Sequence, residues 1–324
     1  MPSASNRPKA LQALVLCTSF WALSFPAMKT LGLAQQQILP GAGSWFLSSL
    51  CVAFRFLAAG ALLLLFTASG LKSVSRREVE QGLWLALFSA AGICLQMDGL
   101  AYISASTSAF LTQMYCVLIP MWLALSRRQF PSAKVFFCCA LVLAGLGLLV
   151  QLNIFAIRLG RGELETLGSS VVFTAQILWL EHPRYAGNRP QQFTTIMLLA
   201  MGILALPVVA ITAPGFAACV QVYESVPVLA LVSVLIVACS IIPFLLMNRW
   251  QREVTATEAG LVYCSEPVFV SMLALFLPAW LSRWTGVDYA CEQLTVRLVV
   301  GGGLVTAANV LLQSPWLEPK RSKS

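Results

Sequence analysis

The chain has 324 residues, of which 58% are hydrophobic and only 10% charged, with a formal net charge of +8. A soluble domain carries roughly 25% charged residues, so the composition excludes a fold whose whole surface meets water. A hydrocarbon core about 30 Å thick asks for roughly 20 apolar residues per helical crossing, and the apolar blocks have about that length.

In chain order, these blocks predict spans over 11–32, 45–69, 82–101, 105–126, 133–152, 168–182, 193–213, 225–247, 255–277 and 294–313. Backbone groups in lipid must be satisfied within the segment or in a closed barrel, and no two-residue alternation runs through the blocks. The predicted class is therefore an all-α integral membrane protein of about ten transmembrane helices. The first block is long enough for a full span and lacks a small-residue cleavage site, so it reads as a retained helix. The sixth is the weakest, being short and ending at Glu181-His182-Pro183.

Charge placement tests the count independently, because cytoplasmic loops are enriched in Lys and Arg. With the N-terminus inside, the cytoplasmic side collects Arg7, Lys9, Lys72, Arg76, Arg77, Arg127, Arg128 and Lys134. It also receives Arg184, Arg189, Arg249, Arg252, Lys320, Arg321 and Lys323, against Arg158, Arg161 and Arg283 outside. Both termini are thus expected in the cytoplasm, in a multi-pass protein of the cell's inner membrane. Basic residues bordering a membrane explain the net charge without a nucleic-acid partner. The expected partners are membrane lipid and a small-molecule solute, with the chain acting as a monomer or homodimer. The ten cysteines lie almost entirely in apolar runs with no C-x-x-C pair, and His182 is the sole histidine. No metal and no cofactor is expected.

The chain resembles itself at a separation near 150 residues. Ser104-Ala105-Ser106 opens a span that leads through Phe110, Leu111 and Tyr115 to Pro120, and Thr255-Ala256-Thr257 leads through Leu261, Val262 and Tyr263 to Pro267. Both triplets suit a helix N-terminus or a close helix approach. A weaker echo links Trp21 and Trp179, each followed within five residues by proline. Five spans per half is odd, so the second half must enter the membrane inverted. The division is 1–152 and 153–324, two inverted five-helix repeats forming one membrane domain. Such repeats recur in secondary transporters that hold solute near the bilayer midplane.

Over essentially the whole chain the sequence also resembles the drug/metabolite transporter superfamily, specifically its EamA-type ten-helix members. The resemblance rests on Phe20-Trp21-Ala22-Leu23-Ser24-Phe25-Pro26, Arg55-Phe56-Leu57, Ala101-Tyr102-Ile103-Ser104-Ala105-Ser106 and Glu266-Pro267-Val268-Phe269. It implies two five-helix repeats around a central cavity and transport of small metabolites, often amino acids or related compounds and often outward.

Among candidate residues Glu266 stands first, since a carboxylate near mid-span is costly unless paired, protonated or facing water. It is the candidate for proton coupling, and the competing reading is that it bonds the backbone freed by Pro267. Tyr263, three residues earlier, shares its face. The expected solute-binding set is Trp21, Phe25, Gln96, Gln113, Tyr115, Tyr263 and Glu266, an aromatic wall with few polar groups suited to an amphipathic organic solute. Asp98 and Gln96 read equally as a solvated rim or as binding groups. Arg55 reads as structural, its long side chain able to reach an interface, and Glu181 and His182 read as interfacial. The glycines Gly145, Gly147, Gly301, Gly302 and Gly303 read as helix-packing positions.

The expected function is a secondary transporter of a small organic metabolite working by alternating access, and not an enzyme. A pump is disfavoured because no G-x-x-x-x-G-K-[ST] loop occurs. The alternatives are an intramembrane enzyme acting on lipid or peptide, which would need a nucleophile-base pair or metal cluster at depth, and a transport-dead scaffold or sensor.

Overall fold

The computed structural model describes residues 6–128, 131–149 and 159–313, and every regular element among them is helical. In the first half these are α1 (Arg7–Ile38), α2 (Ser44–Leu71), α3 (Arg76–Tyr102), α4 (Ala105–Thr112), α5 (Tyr115–Arg127) and α6 (Ala133–Leu149). Then follow α7 (Arg161–Leu180), α8 (Pro190–Thr212), the short α9 (Phe216–Gln221), α10 (Val226–Ile236) and α11 (Ile242–Trp250). The last are α12 (Ala256–Tyr263), α13 (Glu266–Ala274), α14 (Leu277–Thr285) and α15 (Val296–Gln313).

Among the described residues six helices are long and apolar enough to cross a membrane, or seven if one bent pair counts as a span. That pair is Ala256–Ala274 with Leu277–Thr285, inclined at 58°. Ala133–Gly145 and Val299–Leu311 are shorter apolar helices. The burial pattern suits lipid as solvent. Leu65, Phe66, Leu125, Phe136, Ile211 and Phe216 face outward, while Thr18, Gln96, Asp98, Gln113 and Asn248 are buried. The protein is membrane-embedded.

Several spans differ from their sequence boundaries. The segment 168–182 belongs to a helix that begins at Arg161, because Gly162 lets α7 continue against α3. A Cβ on Gly162 would lie 2.9 Å from the Gly99 carbonyl oxygen, and one on Gly99 would lie 2.8 Å from that of Gly162. The spans 105–126 and 255–277 are each broken, into α4 and α5 and into α12 and α13. Residues 150–152 of the fifth span, Arg158 and the basic positions Lys320, Arg321 and Lys323 lie outside the described residues.

The strongest pairings run α2 along α8, α3 along α7 and α6 along α15. Gly145 supports the last, since a Cβ there would stand 2.6 Å from the Gly301 carbonyl oxygen. Among the described residues a Cβ on Gly147 or Gly303 would meet nothing within 4 Å, so no close approach supports the packing role read for them, whereas one on Gly302 would make ordinary contact with Val268.

At one end of the molecule, here called the basic face, four arginines form a cross-linked layer. Arg7 holds Glu258 at 2.6 Å, Arg184 holds Glu80 at 2.8 Å and Arg189 holds Glu78 at 2.7 Å. Arg252 donates to the carbonyls of Asn188 and Tyr185 at 2.8 and 2.9 Å and to that of Ala186. The bond to Glu78 raises the Arg189 pKa, and burial with the neighbouring Glu80 carboxylate raises that of the Tyr185 phenol. At the far face, Lys29 caps the end of α3 through the carbonyls of Leu100, Ile103 and Ala101 at 2.6, 3.2 and 3.3 Å. Lone carbonyls at a helix C-terminus attract such a cation.

Candidate functional site

Two helices break near the centre, and the breaks are built alike. Ser104 caps α4 by accepting from the Thr107 N–H at 3.1 Å, and Thr255 caps α12 by accepting from the Glu258 N–H at 3.2 Å. Each capped helix has eight residues. Each then gives way to i→i+3 bonding, with Gln113 N–H donating to the Phe110 carbonyl and Ser265 N–H to the Val262 carbonyl, both at 3.0 Å. The breaks meet in space, where Gln113 Nε2 donates to Glu266 Oε2 at 2.7 Å. Beside them Thr18 Oγ1 and Ser265 Oγ lie 3.0 Å apart.

Pro267 stands in the first turn of α13, where a missing N–H leaves no bond unmade. Among the described residues the one hydrogen bond found on Glu266 comes from Gln113, and none comes from the backbone. The geometry therefore gives no support to a role in repairing a proline kink.

Above the breaks lies a cavity of about 630 Å³, counting the part open to solvent. Its aromatic wall is Trp21, Phe25, Tyr115, Phe173, Phe244 and Tyr263. Trp21 meets the Tyr263 and Phe244 rings edge-on at 5.5 and 5.9 Å, and Tyr115 meets Tyr263 at 6.4 Å. Such edge-to-face packing holds the rings in a fixed wall. The polar lining is Ser24, Arg55, Gln96, Thr112, Gln176 and Glu266. Gln96 Nε2 donates to Thr112 Oγ1 at 2.9 Å.

Of the seven residues read from the sequence as solute-binding, Trp21, Phe25, Gln96, Tyr115, Tyr263 and Glu266 line this one cavity. Gln113 stands behind it, fully buried, and reaches it through Glu266. Asp98 turns away from Gln96 and pairs with Arg161 at 2.7 Å, which also binds Glu165 at 2.9 Å and covers the Tyr102 ring. Glu181 accepts from the Ala256 N–H at 2.7 Å and His182 Nδ1 from that of Arg184 at 3.2 Å, both on the basic face. Trp179 packs with Trp84 and Tyr185, so its echo of Trp21 marks no shared site.

Arg55 departs from its sequence reading. It does not extend to an interface but is 3% exposed and lines the cavity. Pro243 has no N–H for the carbonyl four residues earlier, that of Cys239. The chain between α10 and α11 opens into a π turn at Val237–Ile241, and Arg55 Nη2 takes the freed Cys239 carbonyl at 2.7 Å while Nε takes Ser240 Oγ at 2.6 Å. Proline in a span is the signal that could have located this partner. Gln176, Phe173 and Phe244 were also missed, and of these only Gln176 carried a signal, as a polar residue inside an apolar block.

The cavity is closed towards the basic face. Tyr263 Oη donates to Gln251 Oε1 at 2.9 Å, and Gln251 Nε2 donates to the Ile177 carbonyl at 2.9 Å, beneath the ion-paired layer. Towards the far face lies a second void of about 430 Å³ beside Lys29, Ser44, Ser48 and Met97. Met28 lines both.

As a sequence, the chain matches no family model and no curated protein. As a structure it matches 28 solved chains. One of them, described only as "Crystal structure of protein", superposes with a TM-score of 0.67 at 14% identity over 94% of this chain and 96% of that one. At that identity the likeness establishes a shared fold.

Proposed function

We propose that the protein is a secondary transporter of a small organic metabolite, working by alternating access across the cell membrane as an EamA-type member of the drug/metabolite transporter superfamily. The observation that carries this reading is the central cavity at the meeting of two broken helices, one from each half of the chain, sealed on one face and neighboured by a void on the other. Solute sites of transporters form where discontinuous helices face each other near the midplane.

The contact pattern supports two inverted five-helix repeats and a total of ten spans. Exchanging the halves maps the pair α2 and α8 onto itself, as it does α6 and α15, and carries the pair α3 and α7 onto the packing of α1 against α10 and α11. The basic face favours termini in the cytoplasm by the positive-inside rule. Glu266 is the proton-coupling candidate. The test is solute flux by purified protein in liposomes with chemical analysis of the product. Flux of unchanged solute supports transport, chemical conversion would mean an enzyme, and neither would mean a scaffold or sensor. Reporter fusions after residue 313 and within residues 153–160, ahead of α7, should score on opposite sides of the membrane.

A further inference from the structure

The cavity contains two buried groups of opposite charge that do not satisfy each other. Arg55 and Glu266 form no ion pair, and Arg55 has no carboxylate partner among the described residues. Two of its nitrogens are engaged by Ser240 and Cys239 and the guanidinium lies over the Phe56 ring at 5.0 Å, but among the described residues Nη1 has no hydrogen-bond partner other than the Met28 thioether, at 3.5 Å. A thioether is a weak acceptor for a guanidinium, whose planar fork matches a carboxylate. A buried charge left in that condition is costly unless water or a ligand supplies the counter-charge.

The opposite end is rich in acceptors. Glu266 has one oxygen taken by Gln113, and no donor to the other is found among the described residues. The amide oxygen of Gln176, 4% exposed and lining the cavity, has no partner among the described residues. A carboxylate oxygen with no donor and an unpartnered amide oxygen in the same cavity suit an ammonium group with its several N–H donors.

The two ends are separated along α1. Ser265, next to Glu266, touches Thr18, whereas Arg55 touches Met28. Those ten residues of helix rise about 15 Å, and the reach of the side chains leaves the charges roughly 10 Å apart. Between them the wall is apolar, formed by Trp21, Phe25 and Phe244.

Resting on the transport reading for its setting, we propose that the cavity binds an elongated zwitterion, its anionic end on Arg55, its ammonium end at Glu266 and Gln176, and an apolar body against the aromatic wall. An α-amino acid carries both charges on one carbon and cannot reach both ends. The geometry therefore separates an ω-amino acid or similarly extended bipolar compound from an α-amino acid of equal size.

Calorimetric titration of the purified full chain in detergent tests this with the ω-amino acids from 4-aminobutanoate to 8-aminooctanoate. Each is compared with its α-amino isomer, with the n-alkylamine and with the n-alkanoate of the same length. In the wild type, one ω-amino acid should bind at least about tenfold more tightly than all three comparators, the difference expected for one extra charged contact. Arg55→Gln should abolish the preference over the amine, and Glu266→Gln the preference over the alkanoate. Equal binding of the α-isomer or of the amine by the wild type overturns the proposal whether or not the variants fold, as does an Arg55→Gln protein that keeps the preference. The same compounds in liposomes separate this from the transport reading. Tight bipolar binding without flux would sink transport and leave this site standing, whereas flux of solutes that ignore the bipolar series would do the reverse.

Discussion

Replacing Glu266 by Gln and by Leu separates a coupling role from a structural one. The carboxylate receives Gln113 Nε2 at 2.7 Å in a site where both side chains are buried. A hydrogen bond to a charged partner contributes about 1.5–3 kcal/mol and a neutral one about 0.5–1.5 kcal/mol, so Glu266→Gln should cost about 1 kcal/mol. Leucine removes the bond entirely and leaves Gln113, whose Oε1 is already unpartnered, with no partner at all. Orphaning the buried Nε2 adds about 1–3 kcal/mol to the lost bond's 1.5–3 kcal/mol, so Glu266→Leu should cost about 2.5–6 kcal/mol. Equilibrium unfolding in mixed detergent micelles reads both. If Glu266 also binds and releases a proton, the Gln variant should lose uptake driven by a pH gradient while keeping solute exchange, because Gln holds the shape but cannot ionise. Wild-type pH-driven uptake in the Gln variant refutes the coupling role, and equal stability of the two variants refutes the weight given to the Gln113 bond.

Three further outcomes follow from the same geometry. Met28→Ala should join the central cavity to the far-face void and speed labelling of a Ser24→Cys reporter by an impermeant thiol reagent from that face, in a background cleared of native cysteines. Met28→Trp should slow it, and no change in either variant would place the access route elsewhere. Tyr263→Phe removes the donor to Gln251 and leaves a buried acceptor unpaired, at about 1–3 kcal/mol, so labelling of the same reporter from the basic face should rise. Gly162→Ala forces a methyl against the Gly99 carbonyl and should cost about 1–3 kcal/mol in unfolding, whereas Gly147→Ala, whose methyl would meet no described residue within 4 Å, should cost nothing and stabilise the helix by up to about 1 kcal/mol.

Which features were legible in the sequence depends on whether their cause is local. The triplets Ser104-Ala105-Ser106 and Thr255-Ala256-Thr257 were readable as helix starts because a hydroxyl cap acts on an N–H only three residues ahead. Gln96, Gln113 and Glu266 were readable because polar groups at membrane depth are expensive wherever they point. The breaks themselves were not. Gln113-Met114 and Cys264-Ser265 contain neither glycine nor proline, and what interrupts the helices there is the meeting of two segments more than a hundred residues apart. Arg55 was misread for a related reason. Snorkelling is a rule about one side chain and its own helix, while its actual partner is a carbonyl on another helix freed by Pro243. The eleventh to fourteenth helices were blurred because a proline at the start of a new helix, as at Pro267 and Pro278, looks in sequence like a kink inside an old one.

On the alternating-access reading, the two short helices are the elements that have to move, and their fastenings lie at opposite ends of the molecule. The N-terminus of α12 is held at the basic face, where Ala256 donates to Glu181 and Glu258 is paired with Arg7. The start of α4 is held at the far face, where Ser106 donates to Glu292 in the segment leading to α15. Each is eight residues long, about 12 Å, so each reaches from its own face to the central breaks and no further. A tilt of either about its break disturbs the fastening at one face alone, and the i→i+3 bonds at the break leave carbonyls there without a full helical partner to be stripped. The Gln113–Glu266 contact sits at the pivot of both. Opening one face therefore need not loosen the other, which is the condition a carrier must meet to avoid becoming a channel.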